Sequence, residues 1–139
     1  MAILFFQEDI KFELTPKNKY KAWLRNIAST EGYKVKDLNY IFCSDEYLYN
    51  INLEYLDHDT YTDIITFDNS EKEFEIEGDI FVSIERIREN SKNSNTEFES
   101  ELKRVLSHGL LHLMGFKDKT TEEQKVMRQM EERSIDEFK

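Results

Sequence analysis

The spacing of apolar and polar residues predicts an alternation of strands and helices along the chain. Segments rich in β-branched and aromatic residues indicate strands at 3–14, 38–43, 62–67 and 73–83. Apolar residues that recur every three or four positions predict helices at 15–30, 44–56, 96–114 and 120–138, with a shorter one at 83–90. We therefore expect an α+β fold in which about four strands form one sheet that is packed with helices.

Two of the predicted helices begin at residues that suit a helix start. Thr15 is expected to cap the first helix, with Pro16 at its first position, and Ser44 precedes two acidic residues at the start of the second. On the last helix we expect apolar residues to point inward and charged residues outward, the apolar positions being Val126, Met127 and Met130.

The composition indicates a folded, acidic chain that forms one domain over residues 1–139. Hydrophobic residues make up 39% of the chain and aromatic residues 13%, which argues against a disordered protein. No apolar run approaches the ~18 residues that a membrane helix needs.

Cys43 is the only cysteine, which excludes an intramolecular disulfide and a cysteine-based zinc site and favours a reducing cytoplasm. A net charge of -10 repels phosphate, so any binding of nucleic acid would need a local basic patch.

The stretch HGLLHLMGFKD, residues 108–118, has the spacing of a metal site. His108 and His112 are four residues apart, which places them on one helix face with Cβ atoms about 6 Å apart. Gly115 ends the helix in a left-handed conformation, so that Asp118 can turn back as a third ligand. Gly109 costs roughly 1 kcal/mol relative to alanine inside a helix, which suggests that another group approaches the backbone there. The spacing predicts a divalent metal bound by His108, His112 and Asp118.

The alternative is that the two histidines lie on a core helix with their hydrogen bonds satisfied. For an HxxxH pair by itself this is the more common situation. The helix break and the carboxylate favour the metal site, because a closed core has no use for three ligand types that converge across a turn.

Three blocks of the sequence resemble the YbeY family of metal-dependent endoribonucleases, which act in ribosomal RNA maturation. The family pattern HGxLHLxGYDH is matched by HGLLHLMGFKD, NxxYRxKDxPTDVLSF by NLEYLDHDTYTDIITF, and GDIxIS by GDIFVS. The blocks follow the family's order and cover 52–118. The matching positions are Asn52, Tyr55, Asp59, Thr62, Asp63, Phe67, Gly78, Asp79, His108, Gly109, Leu111, His112, Leu113 and Gly115.

This resemblance implies an α+β fold with a four-stranded mixed sheet and one zinc ion held by three side chains at a groove. It also implies hydrolysis of single-stranded RNA, with roles in processing the small-subunit ribosomal RNA and in ribosome quality control. The implied partners are therefore RNA, the ribosome and ribosomal proteins.

Four departures from the family pattern bear on the chemistry of the site. Asp118 replaces the third histidine, which lowers the formal charge of a zinc site from +2 to +1 and so weakens the acidification of its water. The oxygen donor also widens the choice of metal toward manganese and other first-row ions. Leu56 replaces an arginine that would suit a phosphoryl group in its transition state. His58 replaces a lysine, and Lys117 replaces an acidic residue.

Residues of several types are candidates for the remaining chemistry. His58, Asp63 and Asp79 are candidate catalytic residues, although Asp79 could equally end a strand and a metal-activated water could act without any of them. Lys117 and Lys119 are candidates for binding substrate, the alternative being a solvated turn. Four tyrosines could stack RNA bases, although scattered tyrosines more often lie half-buried in the core; they are Tyr47, Tyr49, Tyr55 and Tyr61.

The leading hypothesis is a metal-dependent endoribonuclease specific for single strands. The alternative is a ribosome-associated assembly factor with a structural metal and weak or no catalysis, which the negative charge and Leu56 favour. A zinc peptidase is a third hypothesis, but Gly109 stands where zinc proteases carry the general-base glutamate.

Overall fold

The computed structural model describes residues 2–57 and 61–138, which form nine elements. The strands are β1 (Ala2–Gln7), β2 (Lys34–Cys43), β3 (Ile64–Asp68) and β4 (Glu75–Ser83). The helices are α1 (Lys17–Thr30), α2 (Asp45–Leu56), α3 (Ile84–Asn93), α4 (Phe98–Leu113) and α5 (Thr121–Asp136).

The four strands form one mixed sheet in the order β1-β2-β4-β3. β1 is parallel to β2 and β2 is parallel to β4, whereas β3 runs antiparallel to β4 at the edge of the sheet. The predicted α+β fold with a four-stranded mixed sheet is therefore confirmed.

The outer side of β3 carries backbone groups that no strand of this sheet pairs. The Ser83 N–H donates to the Asp63 carbonyl at 3.0 Å, and the Asn69 N–H donates to the Glu77 carbonyl at 2.8 Å. The N–H and C=O groups of the odd-numbered residues of β3 thus point toward β4, because these groups point to alternate sides along a strand. The N–H and C=O groups of Ile64 and Thr66 consequently point outward.

Helices cover the two faces of the sheet unequally. The larger core lies between the sheet and α1 and α4, where Trp23, Leu24, Tyr40, Ile80 and Leu106 are buried. On the other face α2 contributes Leu48 to a smaller cluster with Cys43 and Ile65. Burial of about 25 cal/mol for each Å² of apolar surface makes the larger core the main stabilising contact of the fold.

A glycine lets α4 lie close to the sheet. A Cβ atom at Gly109 would come within 2.7 Å of Ile64 Cδ1 and 3.1 Å of Ile80 Cγ2. The expected close approach to the helix backbone is therefore confirmed, and the approaching groups are these two isoleucines. Because Ile64 belongs to β3, this contact also holds the C-terminal half of α4 beside the edge strand.

The predicted first strand is too long. β1 ends at Gln7, where the side-chain Oε1 accepts a hydrogen bond from the Phe12 N–H at 2.6 Å and the chain leaves the sheet. Leu14 is buried without being part of a strand. Helix α1 begins at Lys17, so the cap residue is Pro16 and not Thr15 as predicted, and no side chain caps the helix.

The predicted faces of the last helix also need correction. Met127 is buried, but Val126 is 44% exposed, and the buried positions of α5 also include Glu131 and Ser134. The inward face follows the helical spacing 127–131–134, so one charged residue faces the core.

Within the described residues, no helix combines the length and the apolar character needed to cross a membrane.

Candidate metal centre

Three side chains converge at the C-terminal end of α4. His108 Nε2 lies 3.2 Å from Asp118 Oδ2, and His112 Nε2 lies 3.3 Å from the same oxygen. One ligand atom from each of the three residues lies within 4.8 Å of the others. The structure thus brings together the three residues that the sequence predicts as metal ligands.

Local backbone geometry places Asp118 opposite the two histidines. Helix α4 ends at Leu113, and Gly115 follows with a φ of 96°. The Gly115 N–H donates to the His112 carbonyl at 3.0 Å, which closes the last turn of the helix. Thr120 then caps α5, so Asp118 is held in a short turn between two helices.

The donor set suits one divalent first-row ion. Zinc bonds of about 2.1 Å in a tetrahedral arrangement separate neighbouring ligand atoms by about 3.4 Å, close to both distances from Asp118. The side chains of His108, His112 and Asp118 are 22%, 28% and 37% exposed, which leaves room for water or a substrate. Two imidazoles and a carboxylate are also a donor set that these metals accept.

A buried carboxylate lies behind the first histidine. His108 Nδ1 is 2.5 Å from Glu131 Oε2, and Arg104 Nη1 donates to Glu131 Oε1 at 3.0 Å. Glu131 is only 5% exposed. Sequence reasoning misses this residue because it lies in a charged stretch of α5, but its spacing of four from Met127 is a signal that could have found it.

Two titratable groups at the site have shifted pKa values. Burial by itself lowers the pKa of His108. The hydrogen bond and the charge of Glu131 raise it, as do the charges of Asp118 and Asp63, and together they outweigh the effect of burial, so the pKa is raised overall. Burial also raises the pKa of Asp63, more than the positive charge of His108 lowers it. The Asp63 carboxylate is therefore more basic than an aspartate in water.

A cavity of about 390 Å³ opens beside the three ligands. Its walls come from the end of α2, from the edge strand β3 and from α4. Leu56, the residue in place of the family arginine, forms part of the wall. The lining residues are Asn52, Leu56, Thr62, Asp63, Ile64, Ile65, Thr66, His108, His112 and Asp118.

The other predicted site residues have different places. Asp63 lines the cavity, whereas Asp79 accepts a hydrogen bond from Asn39 Nδ2 at 3.0 Å. Because Gly78 and Ile80 approach α4, the intervening Asp79 faces the opposite side of the sheet. The structure therefore does not bring Asp79 to the ligands.

The predicted basic residues lie outside the cavity wall or outside the described part of the chain. Lys117 and Lys119 are exposed on either side of Asp118 and do not line the cavity. His58 lies outside the described residues.

Comparisons with known proteins agree with the three sequence blocks. The family model for endoribonuclease YbeY matches residues 3–139. Endoribonuclease YbeY of Cytophaga hutchinsonii is 53% identical over 133 residues, which span 96% of this chain and 93% of that protein. The same-named protein of Christiangramia forsetii is 52% identical over 133 residues, or 96% and 92% of the two chains.

A solved structure supports the fold. The solution structure of TM1509 from Thermotoga maritima is 26% identical in sequence and superposes with a TM-score of 0.69, covering 99% of this chain and 89% of that one. The family match extends well beyond the three blocks, over nearly the whole sequence. The chain therefore belongs to the endoribonuclease YbeY family.

Proposed function

We propose that this protein is a metal-dependent endoribonuclease that cleaves single-stranded RNA. The observation that carries the proposal is the convergence of His108, His112 and Asp118 beside an open cavity in a member of this family. The relatives are named endoribonucleases, and that activity is the one extended to this chain. Ribosomal RNA is the proposed natural substrate, processed in the cytoplasm in contact with the ribosome.

Zinc is the metal that we expect at the three ligands, with manganese as the main alternative because one donor is a carboxylate oxygen. When bound, such an ion supplies a Lewis acid that lowers the pKa of water and offsets negative charge on a phosphate. His108 and His112 would hold it through Nε2, and Asp118 through Oδ2.

Asp63 is the candidate for proton transfer. It is the one carboxylate of the described cavity wall besides Asp118, and burial raises its pKa. A more basic carboxylate accepts a proton from an attacking water more readily, and its acid form can then return the proton to the leaving oxygen. This role is open to Asp63 and not to Asp79, which faces away.

The cavity wall offers substrate neutral polar, apolar and acidic side chains beside the two histidines. No lysine or arginine is among the described residues that line it, and Leu56 occupies the wall position where the family has arginine. The neutral polar side chains that line it are those of Asn52, Thr62 and Thr66. Stabilisation of charge on the phosphoryl group is therefore expected to depend strongly on the metal.

Exposed aromatic residues beside the cavity favour an unpaired strand as substrate. Tyr55 and Tyr61 are 66% and 52% exposed, and in sequence they directly precede Leu56 and Thr62 of the cavity wall. The ring of Tyr61 stacks on that of Tyr49, with centroids 4.5 Å apart. Unpaired bases can stack on such rings, whereas the bases of a duplex are already stacked on each other.

The peptidase hypothesis is not favoured by the structure of α4. Gly109 occupies the position of the general-base glutamate in zinc proteases, and it packs on Ile64 and Ile80. Any side chain there would meet the sheet.

The experiment is cleavage of a labelled single-stranded RNA and its duplex by purified protein supplied with zinc or manganese. We expect the single strand to be cut, and His112→Ala and Asp118→Ala to lose at least a hundredfold in rate. Asp37→Ala, an exposed aspartate on β2, is the control and should retain activity. Absence of cleavage with every divalent metal, or full activity of His112→Ala, would contradict the proposal.

A further inference from the structure

We propose that Glu131 is a positioning residue that orients His108 for metal binding, and that Arg104 in turn holds Glu131. The inference rests on the metal site of the proposed function. It concerns two residues that lie behind the site rather than in the cavity wall, and it assigns them a role in metal affinity.

The first step is the tautomer of His108. A neutral imidazole carries one hydrogen, and the nitrogen without it is the one that binds metal. Glu131 Oε2 lies 2.5 Å from Nδ1, and an ionised carboxylate can only accept a hydrogen bond. The hydrogen is therefore placed on Nδ1, which leaves the lone pair of Nε2, on the Asp118 side of the ring, free to bind a metal ion.

The second step is the orientation of the carboxylate. Arg104 Nη1 donates to Oε1 at 3.0 Å, so the two oxygens of Glu131 serve two different donors. Both donors belong to α4, one helical turn apart, whereas Glu131 comes from α5. A buried carboxylate without a partner is costly, and Arg104 offsets that cost while fixing the side chain.

The third step is what glutamine would do at this position. An amide has one acceptor oxygen and an NH₂ group, and in the Glu131→Gln variant we expect that oxygen to accept from the charged Arg104 guanidinium, which leaves the NH₂ group toward His108 Nδ1. The His108 Nδ1–H group would then face another donor and lose its acceptor. This substitution thus preserves the size of the side chain while removing one of the two hydrogen bonds.

Glu101→Gln is the matched control. Glu101 also lies near Arg104, with Oε1 4.0 Å from Nε, and is also a carboxylate of this region. It has no hydrogen bond to His108, so its substitution removes the same charge without changing the orientation of the ligand.

The test is a competition titration of Zn²⁺ against a chromophoric chelator, with thermal unfolding to confirm that each variant is folded. We expect Glu131→Gln to weaken zinc binding by about 10- to 100-fold. Glu101→Gln should bind within about twofold of the wild type. With Co²⁺ as the probe, the visible absorption of Glu131→Gln should differ from that of the wild type, because one ligand is no longer held.

A second measurement uses the wild type alone and does not depend on the folding of a variant. Long-range ¹H–¹⁵N spectra of the zinc-loaded protein should show the hydrogen of His108 on Nδ1. A hydrogen on Nε2 would overturn the inference.

The outcomes separate the inference from the proposed function. Wild-type affinity in a folded Glu131→Gln protein would overturn the positioning role and leave the endoribonuclease proposal intact. Failure of the wild type to bind zinc or cobalt would overturn the metal site and the inference together.

Discussion

At the residue scale, the departure at Leu56 is the one most open to a direct test. Leu56 is 41% exposed and lines the cavity, so an arginine could extend from this position without entering the core. A charge-assisted hydrogen bond contributes roughly 1.5–3 kcal/mol, and a bidentate guanidinium is suited to phosphate.

We expect Leu56→Arg to raise kcat/KM for single-stranded RNA roughly tenfold, because a guanidinium would stabilise charge on the phosphoryl group. Steady-state cleavage assays measure this. Leu53→Arg is the control, since Leu53 is 44% exposed on the same helix but does not line the cavity. An equal rise of kcat/KM in both variants would show a general effect of positive charge, and it would contradict the proposal that the substrate phosphate lies beside Leu56.

The ionised carboxylate of Asp63 is expected to favour catalysis and to lower the stability of the metal-free fold. Burial raises its pKa above the ordinary 3.8 in the metal-free protein. Between 3.8 and the raised pKa, the folded state holds more protons than the unfolded state, so the free energy of unfolding falls as pH rises. At neutral pH the ionised carboxylate therefore destabilises the metal-free fold.

We expect Asp63→Asn to lower kcat by about 10²- to 10⁴-fold, because the proton acceptor is lost. The same variant should raise the free energy of unfolding of the metal-free protein at neutral pH and remove part of its pH dependence in acid. Denaturant titration at several pH values checks the second effect. Asp79→Asn should change activity little, and a larger loss in Asp79→Asn than in Asp63→Asn would reverse the assignment.

At the element scale, sequence reasoning succeeds where the signals are local. Ser44 is expected from sequence to cap the second helix, and its hydroxyl accepts from the Tyr47 N–H at 3.1 Å. The three ligands lie within eleven residues, so spacing along one helix and one turn is enough to group them. The long-range contact between Glu131 and His108 joins two helices, and no local pattern specifies it. The orientation of Asp79 depends in the same way on which face of β4 meets α4.

The start of α5 also supports the site. Thr120 Oγ1 accepts from the Glu123 N–H at 3.1 Å, and Glu123 Oε1 accepts from the Thr120 N–H at 3.0 Å. This capping box lies two residues after Asp118. It therefore fixes both the end of the turn and the helix that carries Glu131.

We expect Thr120→Ala to lower the free energy of unfolding by about 1 kcal/mol, since one N-cap hydrogen bond is lost. Zinc affinity should fall with it, because the turn that holds Asp118 becomes less restrained. Chemical denaturation and metal titration measure the two effects. Thr121→Ala, at the exposed first position of the helix, should change neither, and unchanged stability of Thr120→Ala would contradict the role of the cap.

At the scale of the whole molecule, the acidic surface should set an unusual salt dependence. The net charge of -10 opposes RNA, whereas most nucleic-acid binders attract phosphate and weaken steeply as salt is added. Lys117 and Lys119 are the exposed cations that flank Asp118. If both contact phosphate, a slope of about −1.4 in log affinity against log salt is expected for a single strand.

If Lys117 and Lys119 make the phosphate contacts, we expect log kcat/KM plotted against log KCl to have a slope between zero and about −1.5. Replacing both Lys117 and Lys119 by alanine should bring the slope close to zero. The double replacement of Lys34 and Lys36, exposed on β2, is the control and should leave it unchanged. A slope steeper than about −3 for the wild type would require phosphate contacts elsewhere on the surface.

Because β3 lies at the edge of the sheet, amide exchange along this strand should report whether RNA is bound in the cavity. Amides of Ile65 and Phe67 lie inside the ladder with β4 and should exchange slowly with deuterium, whereas those of Ile64 and Thr66 point away from it. A strand of RNA in the cavity would shield only the outward set. Protection that appears at every second residue of β3 would therefore register binding in the absence of any cleavage.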